Sequence, residues 1–134
     1  MALLEFCRGR WGKVVYATQE NGVHLAAEFF DDLSVSDQAK LAALFKRFAD
    51  CGEIKNREKF KKIADNLFEF KSGQIRMFCF LERGMVVVTH GCIKKKDALN
   101  KTEIKRAERI RFEHKKIYDN STSGTSGVQR SDKK

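Results

Sequence analysis

The sequence has no proline and only one tryptophan, and none of its apolar runs approaches the length of a membrane span. A helix that crosses a bilayer needs about 20 consecutive apolar residues. The beginning of the chain also lacks a charged-then-apolar leader followed by a small-residue cleavage site. We therefore expect a soluble, cytoplasmic protein with no membrane association.

The four cysteines lack the spacing of a metal site or of a disulfide framework. Cys7, Cys51, Cys79 and Cys92 contain no C-x-x-C pair, whereas zinc sites and small disulfide-rich domains use closely or regularly spaced cysteines. We predict four reduced cysteines, most of them buried. We also predict no metal and no cofactor.

What the sequence does have is a strong excess of positive charge in its second half. The formal net charge is +9, yet residues 1–52 hold six basic and seven acidic side chains, and residues 53–134 hold 21 and 11. This asymmetry favours one positive face, and polyanions such as nucleic acid are the usual partners of such a face. Ordinary solubility charge is the alternative explanation.

The clearest structural pattern is the alternation of apolar and polar residues between residues 66 and 90. Phe68 and Phe70 fall on one side of a first strand, and the turn at residues 72–73 separates it from a second. In the second strand, residues 75, 77, 79 and 81 oppose Arg76, Phe78 and Phe80, and a third strand covers residues 85–90. Because the loops are short, we predict an antiparallel three-stranded meander.

The front of the chain predicts strands and then two helices. Residues 1–6 are apolar and form either a short strand or an anchor, and residues 13–18 are typical of a strand. Leu25, Phe29 and Leu33 recur at helical spacing. Ser34 or Ser36 then caps a second helix that carries an apolar stripe (Leu41, Leu44, Phe45, Phe48) and ends at Gly52.

The remaining segments are a basic connection, a last helix and a polar tail. Residues 53–63 are dense in lysine and arginine, and we interpret them as a connection. Thr102 is the predicted N-cap of a helix with Ile104, Ala107, Ile110 and Ile117 on its apolar side. From residue 119 the composition is too polar to offset the ordering entropy, so we predict a disordered tail at 119–134 and one domain at 1–118.

These elements together predict an α+β fold. A small antiparallel sheet, made of an N-terminal strand and the three-stranded meander, is expected to pack on a two-helix hairpin, with a C-terminal helix completing the domain. The size of 134 residues suits one core.

The segments LFEFK, IRMFCF, VVVTHGCIKKK and KTEIKRAERI resemble the HigB-like, phage-derived branch of the RelE/ParE toxin superfamily. That branch shows a Leu-aromatic-Glu-x-basic strand, an Arg-led aromatic strand and a His-Gly-aromatic-x-Lys-Lys segment before a helix. The resemblance covers about residues 61–109. Two positions depart from it, because Cys92 stands where the family has an aromatic residue and Lys101 where it has a proline.

The resemblance implies a RelE-like fold and the toxin of a type II toxin–antitoxin system. Such a toxin is a metal-independent endoribonuclease that cleaves translated mRNA on the ribosome and thereby inhibits translation. Its implied partners are the ribosome, mRNA and a cognate helix-turn-helix, HigA-like antitoxin, with which it can form a hetero-oligomer. Carried over by position, the family's functional residues fall on Lys62, Lys71, Arg76, His90 and the segment that contains Lys94 and Lys95.

The chemistry of RNA cleavage without a metal supports some of these residues independently. It requires a base, an acid and cations around the phosphorus. The arginine fork matches two phosphate oxygens, so we assign Arg76 to transition-state stabilisation. Lys71, Lys94 and His90 complete the predicted catalytic set, with His90 as base or acid or as a structural histidine.

Further cations and neighbouring side chains receive supporting roles. Phosphate binding is predicted for Lys61, Lys62, Lys95, Lys96 and Arg109. We interpret Glu69 as a carboxylate that orients Lys71 or Arg76, and not as a base. Core packing is favoured over base stacking for Phe78 and Phe80.

Two other functions remain open from the sequence. A ParE-like relative would poison a topoisomerase without cutting RNA. A non-catalytic module would use the basic face only to hold RNA or an acidic partner.

Overall fold

The computed structural model describes residues 3–94 and 101–126, with side chains up to residue 118. Its elements follow the chain in the order β1 (Leu4–Arg8), β2 (Lys13–Tyr16), α1 (Leu25–Asp31), α2 (Val35–Cys51), β3 (Phe60–Ala64), β4 (Leu67–Ser72), β5 (Ile75–Glu82), β6 (Met85–Ile93) and α3 (Lys101–Ser126). Within these residues no helix combines the length and the apolar composition needed to cross a membrane.

Six strands of the described chain form one sheet in the order β1-β2-β6-β5-β4-β3. The meander of β4, β5 and β6 is antiparallel, as predicted. The α+β class, the two-helix hairpin and the C-terminal helix are confirmed. The sheet differs from the predicted antiparallel sheet of four strands. It has six strands in the described chain, and β2 lies parallel to β6, so the sheet is mixed.

Helices cover both faces of the sheet. On one face α1 and α2 pack over Val14, Phe70, Met77 and Val88. On the opposite face, which we call the α3 face, Ala107 and Ile110 of α3 pack over a second cluster that includes Val15, Phe80 and Val87. The predicted alternation along β5 is confirmed, since Met77 and Cys79 belong to the first cluster and Phe78 and Phe80 to the second.

The boundaries of α2 follow the predicted signals. The Ser34 side chain accepts a hydrogen bond from the Asp37 backbone N–H at 3.1 Å, which satisfies a donor that the first turn leaves unpaired. Gly52 ends the helix with a φ of 77°, a conformation that glycine adopts without strain. Between these ends Leu41, Phe45 and Phe48 are fully buried.

The segment interpreted as a basic connection contains a strand, and that prediction was wrong. Phe60–Ala64 pairs antiparallel with β4, with Phe60 opposite Phe70 and Lys61 opposite Glu69. Phe60 supplies the apolar anchor, because its ring stacks on Phe68 at 5.3 Å between centroids. The N-terminal run also resolves into a strand, β1, which pairs with β2.

The predicted N-cap of α3 lies inside the helix. The helix starts at Lys101, so Thr102 lies inside its first turn and is not the N-cap. His114, which the periodicity did not place in the core, is buried, and its Nδ1 accepts the Thr18 backbone N–H at 2.9 Å. The helix continues through Ser126. Residues 127–134 lie outside the described residues, and disorder of the tail stays a prediction.

Candidate active site on the α3 face of the sheet

Cations collect on the α3 face of β3, β4 and β5. The strand register places Lys61 opposite Glu69, and Lys71 opposite Arg76. Side chains directly opposite each other in a sheet have Cβ atoms about 5 Å apart. By alternation Lys94, just after β6, points to the same face, and its N–H continues the ladder to the Gln74 carbonyl at 2.7 Å. We call Lys61, Lys71, Arg76 and Lys94 the cationic face.

Arg76 is the most buried member of the cationic face, with 6% of its surface exposed. Its Nη1 donates to the carbonyl oxygens of Gly73 at 2.7 Å and Ile75 at 3.0 Å, which holds the guanidinium against the β4–β5 turn. Its Nε lies 4.0 Å from Glu69 Oε1, a distance too long for a hydrogen bond. The backbone carbonyls therefore hold the guanidinium in place. Its Nε forms an ion pair with the Glu69 carboxylate but no hydrogen bond.

A β-bulge determines which way His90 points. In the pairing of β5 with β6, Cys79 lies opposite Val88, whereas Phe78 lies opposite His90, so Thr89 is the extra residue. The bulge turns His90 to the α3 face, where its ring stacks on Phe78 at 4.8 Å between centroids. Strict alternation from Val87 would have sent His90 to the opposite face.

Both ring nitrogens of His90 have protein partners. Nε2 lies 3.0 Å from Glu103 Oε1 in the first turn of α3, and Nδ1 lies 3.1 Å from Thr89 Oγ1. The ring is 2% exposed. Burial lowers the pKa of His90, and the hydrogen bond to Glu103 opposes this shift. His90 thus connects β6 to α3 beneath the surface next to the cationic face.

Cys92 occupies the position opposite Arg76 on β6. Burial and the nearby Glu103 carboxylate raise the pKa of its thiol to about 11. At neutral pH the side chain is therefore a neutral thiol. It offers no ring for base stacking at the position where the resembling family has an aromatic residue.

The prediction that most of the cysteines are buried was wrong, because only Cys79 is buried. All four are free thiols, Cys79 is buried, Cys7 and Cys92 are half-buried, and Cys51 is exposed. Among residues 3–94 and 101–126, no group of three histidine, cysteine or acidic side chains is arranged to hold a metal ion.

The family model described as phage derived protein Gp49-like (DUF891) matches residues 28–111. The chain belongs to this family. It is a toxin-like family of the RelE/ParE-type superfamily. Among curated proteins none matches the chain.

The Gp49-like match contains every described residue of the cationic face. It begins in α1, includes β3 to β6 and ends in α3, two turns beyond Glu103. The strands that carry the cationic face and the first turn of α3, which contacts His90, therefore all lie within the matched segment.

The Gp49-like chain brings together only part of the predicted site. Lys61, Lys71, Arg76 and Lys94 share the α3 face, and His90 lies buried beside them. Lys62 points to the opposite face, because it alternates with Lys61 on β3. Arg109 lies on the β2 side of α3, where it pairs with Glu113 at 3.8 Å, and Glu113 in turn bonds the loop at Glu20. Lys95 and Lys96 lie outside the described residues.

Sequence reasoning missed the role of Glu103. This carboxylate contacts His90 and also lies 3.6 Å from Arg106 Nη1. Its position in the first turn of α3 was a visible signal, since acidic residues favour helix N-termini. Its pairing with His90 was not visible, because it depends on the bulge at Thr89.

Proposed function

We propose that this chain is a HigB-like toxin of a type II toxin–antitoxin system that cleaves mRNA on the translating ribosome without a metal. The observation that carries the proposal is the pair of cations directly opposite each other, Lys71 and Arg76. A phosphodiester next to both side chains would contact two cations at once, which supports phosphate binding as the function of the pair.

The proposed roles follow from the chemistry of each side chain. Arg76 holds the scissile phosphate, since guanidinium groups bind phosphate oxygens in a fixed plane and stabilise the charge that develops in the transition state. Lys71 gives a proton to the departing 5′-oxygen. Lys61 and Lys94 hold the flanking phosphates from either side of the pair.

We assign a positioning role to His90 in place of the predicted role as base or acid. Its two ring nitrogens already contact Glu103 and Thr89. Such a residue cannot exchange a proton with substrate without leaving both partners. Its contribution in our proposal is to hold the first turn of α3 beside the cationic face.

The cationic face also suggests how the toxin is silenced. An acidic segment of a helix-turn-helix antitoxin that covers Lys61, Lys71 and Lys94 would gain charge complementarity and associate rapidly. The same segment would exclude mRNA from the site. Toxin and antitoxin would then form a stable hetero-oligomer.

Lys71→Gln is the sharpest test of the catalytic assignment. Arg76 is a poorer target, because its truncation would release two backbone carbonyls at a turn. Lys62→Gln is the matched control, since it removes the same charge from the neighbouring strand but on the opposite face. RNA 5′-end mapping during expression should show new mRNA ends with the wild type and with Lys62→Gln. With Lys71→Gln these ends should fall by roughly 100-fold.

Other outcomes would replace this proposal. Wild-type expression that damages DNA without new mRNA ends would indicate a topoisomerase poison. Expression that is harmless in the absence of any antitoxin would indicate a non-catalytic binding module. Equal cleavage by Lys71→Gln and the wild type would remove Lys71 from the mechanism.

A further inference from the structure

Glu69 is a buried carboxylate whose environment is unusual for an ion pair. It is 2% exposed, lies at the centre of β4 and is surrounded on the α3 face by three cations. Lys61 lies opposite it on β3, Lys71 follows it by two residues on the same strand, and Arg76 Nε is 4.0 Å from its Oε1. Yet Oε1 has no hydrogen-bond donor among the residues that the structure describes.

A buried carboxylate oxygen without a donor requires a physical explanation. Nearly all buried polar atoms in folded proteins are hydrogen-bonded, and the exceptions concentrate at functional sites. Glu69 Oε1 forms an ion pair with Arg76 at 4.0 Å from Nε but accepts no hydrogen bond from any residue that the structure describes, so this oxygen retains its capacity to accept one.

We propose that Glu69 is the catalytic base of the cleavage reaction, and this inference rests on the proposed function. An ionised carboxylate is an acceptor only, so its open oxygen can receive a proton from a hydroxyl group. This reverses the sequence-based interpretation of Glu69 as an orienting residue. It also supplies the base that His90, with both nitrogens engaged, does not supply.

The step balances in protons and bonds. The 2′-hydroxyl of the nucleotide before the scissile phosphate gives its proton to Glu69 Oε1, and the 2′-oxygen forms a bond to phosphorus. The bond between phosphorus and the 5′-oxygen breaks, and the departing oxygen takes a proton from the Lys71 ammonium group. The products are a 2′,3′-cyclic phosphate and a 5′-hydroxyl. Exchange with solvent then returns the two side chains to their starting states.

The geometry places the base next to the phosphate that it serves. Arg76 is the proposed phosphate ligand, and Glu69 is its neighbour across the β4–β5 pair. The 2′-hydroxyl is the substrate group adjacent to the scissile phosphate, so a phosphate held by Arg76 brings that hydroxyl toward Glu69. Lys61, opposite Glu69 on β3, and Lys71, two residues further along β4, lie next to the carboxylate.

The test is single-turnover cleavage of mRNA on programmed ribosomes over a range of pH. Glu69→Gln keeps the size of the side chain and removes its basicity, and we expect the rate to fall by roughly 100-fold or more. The acid limb of the wild-type pH–rate profile should disappear in this variant. Glu58→Gln is the control, because it removes the same charge from an exposed position just before β3, and its rate and profile should match the wild type.

The outcomes separate this inference from the proposed function. A wild type that makes no new mRNA ends contradicts the function itself. A Glu69→Gln variant that cleaves at the wild-type rate, or that is slow but keeps the acid limb, overturns the role of Glu69 alone. If Glu69→Gln does not fold, Glu69→Asp keeps the charge on a shorter side chain; we expect slow cleavage with the acid limb retained, and wild-type rates would overturn the inference.

Discussion

Three ionisable side chains on the α3 face, Glu69, Arg76 and His90, are almost fully buried. Each one occupies a different environment. Arg76 is bonded to backbone carbonyls, His90 is bonded to Glu103 and Thr89, and Glu69 has an oxygen without a donor. Because all three side chains are buried, their contacts distinguish their roles. Arg76 is a cation held by the backbone, His90 links β6 to α3, and Glu69 keeps an oxygen that can accept a hydrogen bond.

The buried His90 should make stability depend on pH. Its pKa is lowered in the folded state, so between about pH 6.5 and the lower folded value the unfolded chain binds more protons. The free energy of unfolding should therefore fall as the pH decreases through this window. Urea denaturation at a series of pH values measures this effect. As the pH decreases, the free energy of unfolding should fall more steeply for the wild type than for His90→Gln, which keeps a donor for Glu103 but does not titrate. Parallel curves would contradict this assignment.

At the scale of elements, local patterns predicted local structure well. The meander followed from alternation and short loops, and α2 followed from its stripe, its Ser34 cap and Gly52. The strand β3 was missed because lysines fill its exposed positions, and Phe60 is the main sign of burial. The parallel pairing of β2 with β6 could not be predicted, since it joins segments about 70 residues apart.

The candidate site also depends on pairings between strands that local sequence patterns do not determine. Alternation separates Lys71 and Arg76 from the apolar residues adjacent to them in their own strands, and the strand register then places the two opposite each other. Nothing in the local sequence marks the bulge at Thr89, which decides the direction of His90. Whether Lys61 or Lys62 faces the site could not be decided either, because that choice depends on the register of a strand that was not predicted.

The contact between α1 and β6 depends on a glycine. A Cβ atom on Gly91 would lie 2.5 Å from Met77 Sδ and 2.5 Å from Phe29 Cδ2. Gly91→Ala should therefore push α1 away from the sheet and reduce the free energy of unfolding by about 1–3 kcal/mol. Urea denaturation measures this loss. In a double-mutant cycle Phe29→Leu should recover part of it, and strictly additive effects would show that the two residues do not collide.

At the scale of the whole molecule, the sheet separates two kinds of surface. Its α1/α2 face is covered by apolar packing, and its other face carries both the apolar contact with α3 and the cationic face. Strand register gathers four of the 21 basic side chains of residues 53–134 on this face. A polyanion has one preferred approach to such a surface.

The salt dependence of RNA binding should report which cations touch phosphates. Each phosphate contact to single-stranded RNA contributes about 0.7 to the slope of log affinity against log salt concentration. Lys61→Gln and Lys94→Gln should each reduce the slope by about this amount, because both side chains belong to the cationic face. Arg109→Gln should leave it unchanged, since Arg109 lies on the β2 side of α3 and pairs with Glu113. Fluorescence anisotropy with a labelled RNA strand over a range of salt concentrations measures the slopes. A shallower slope for Arg109→Gln, with unchanged slopes for the two lysine variants, would move the RNA-binding surface from the sheet to the helix.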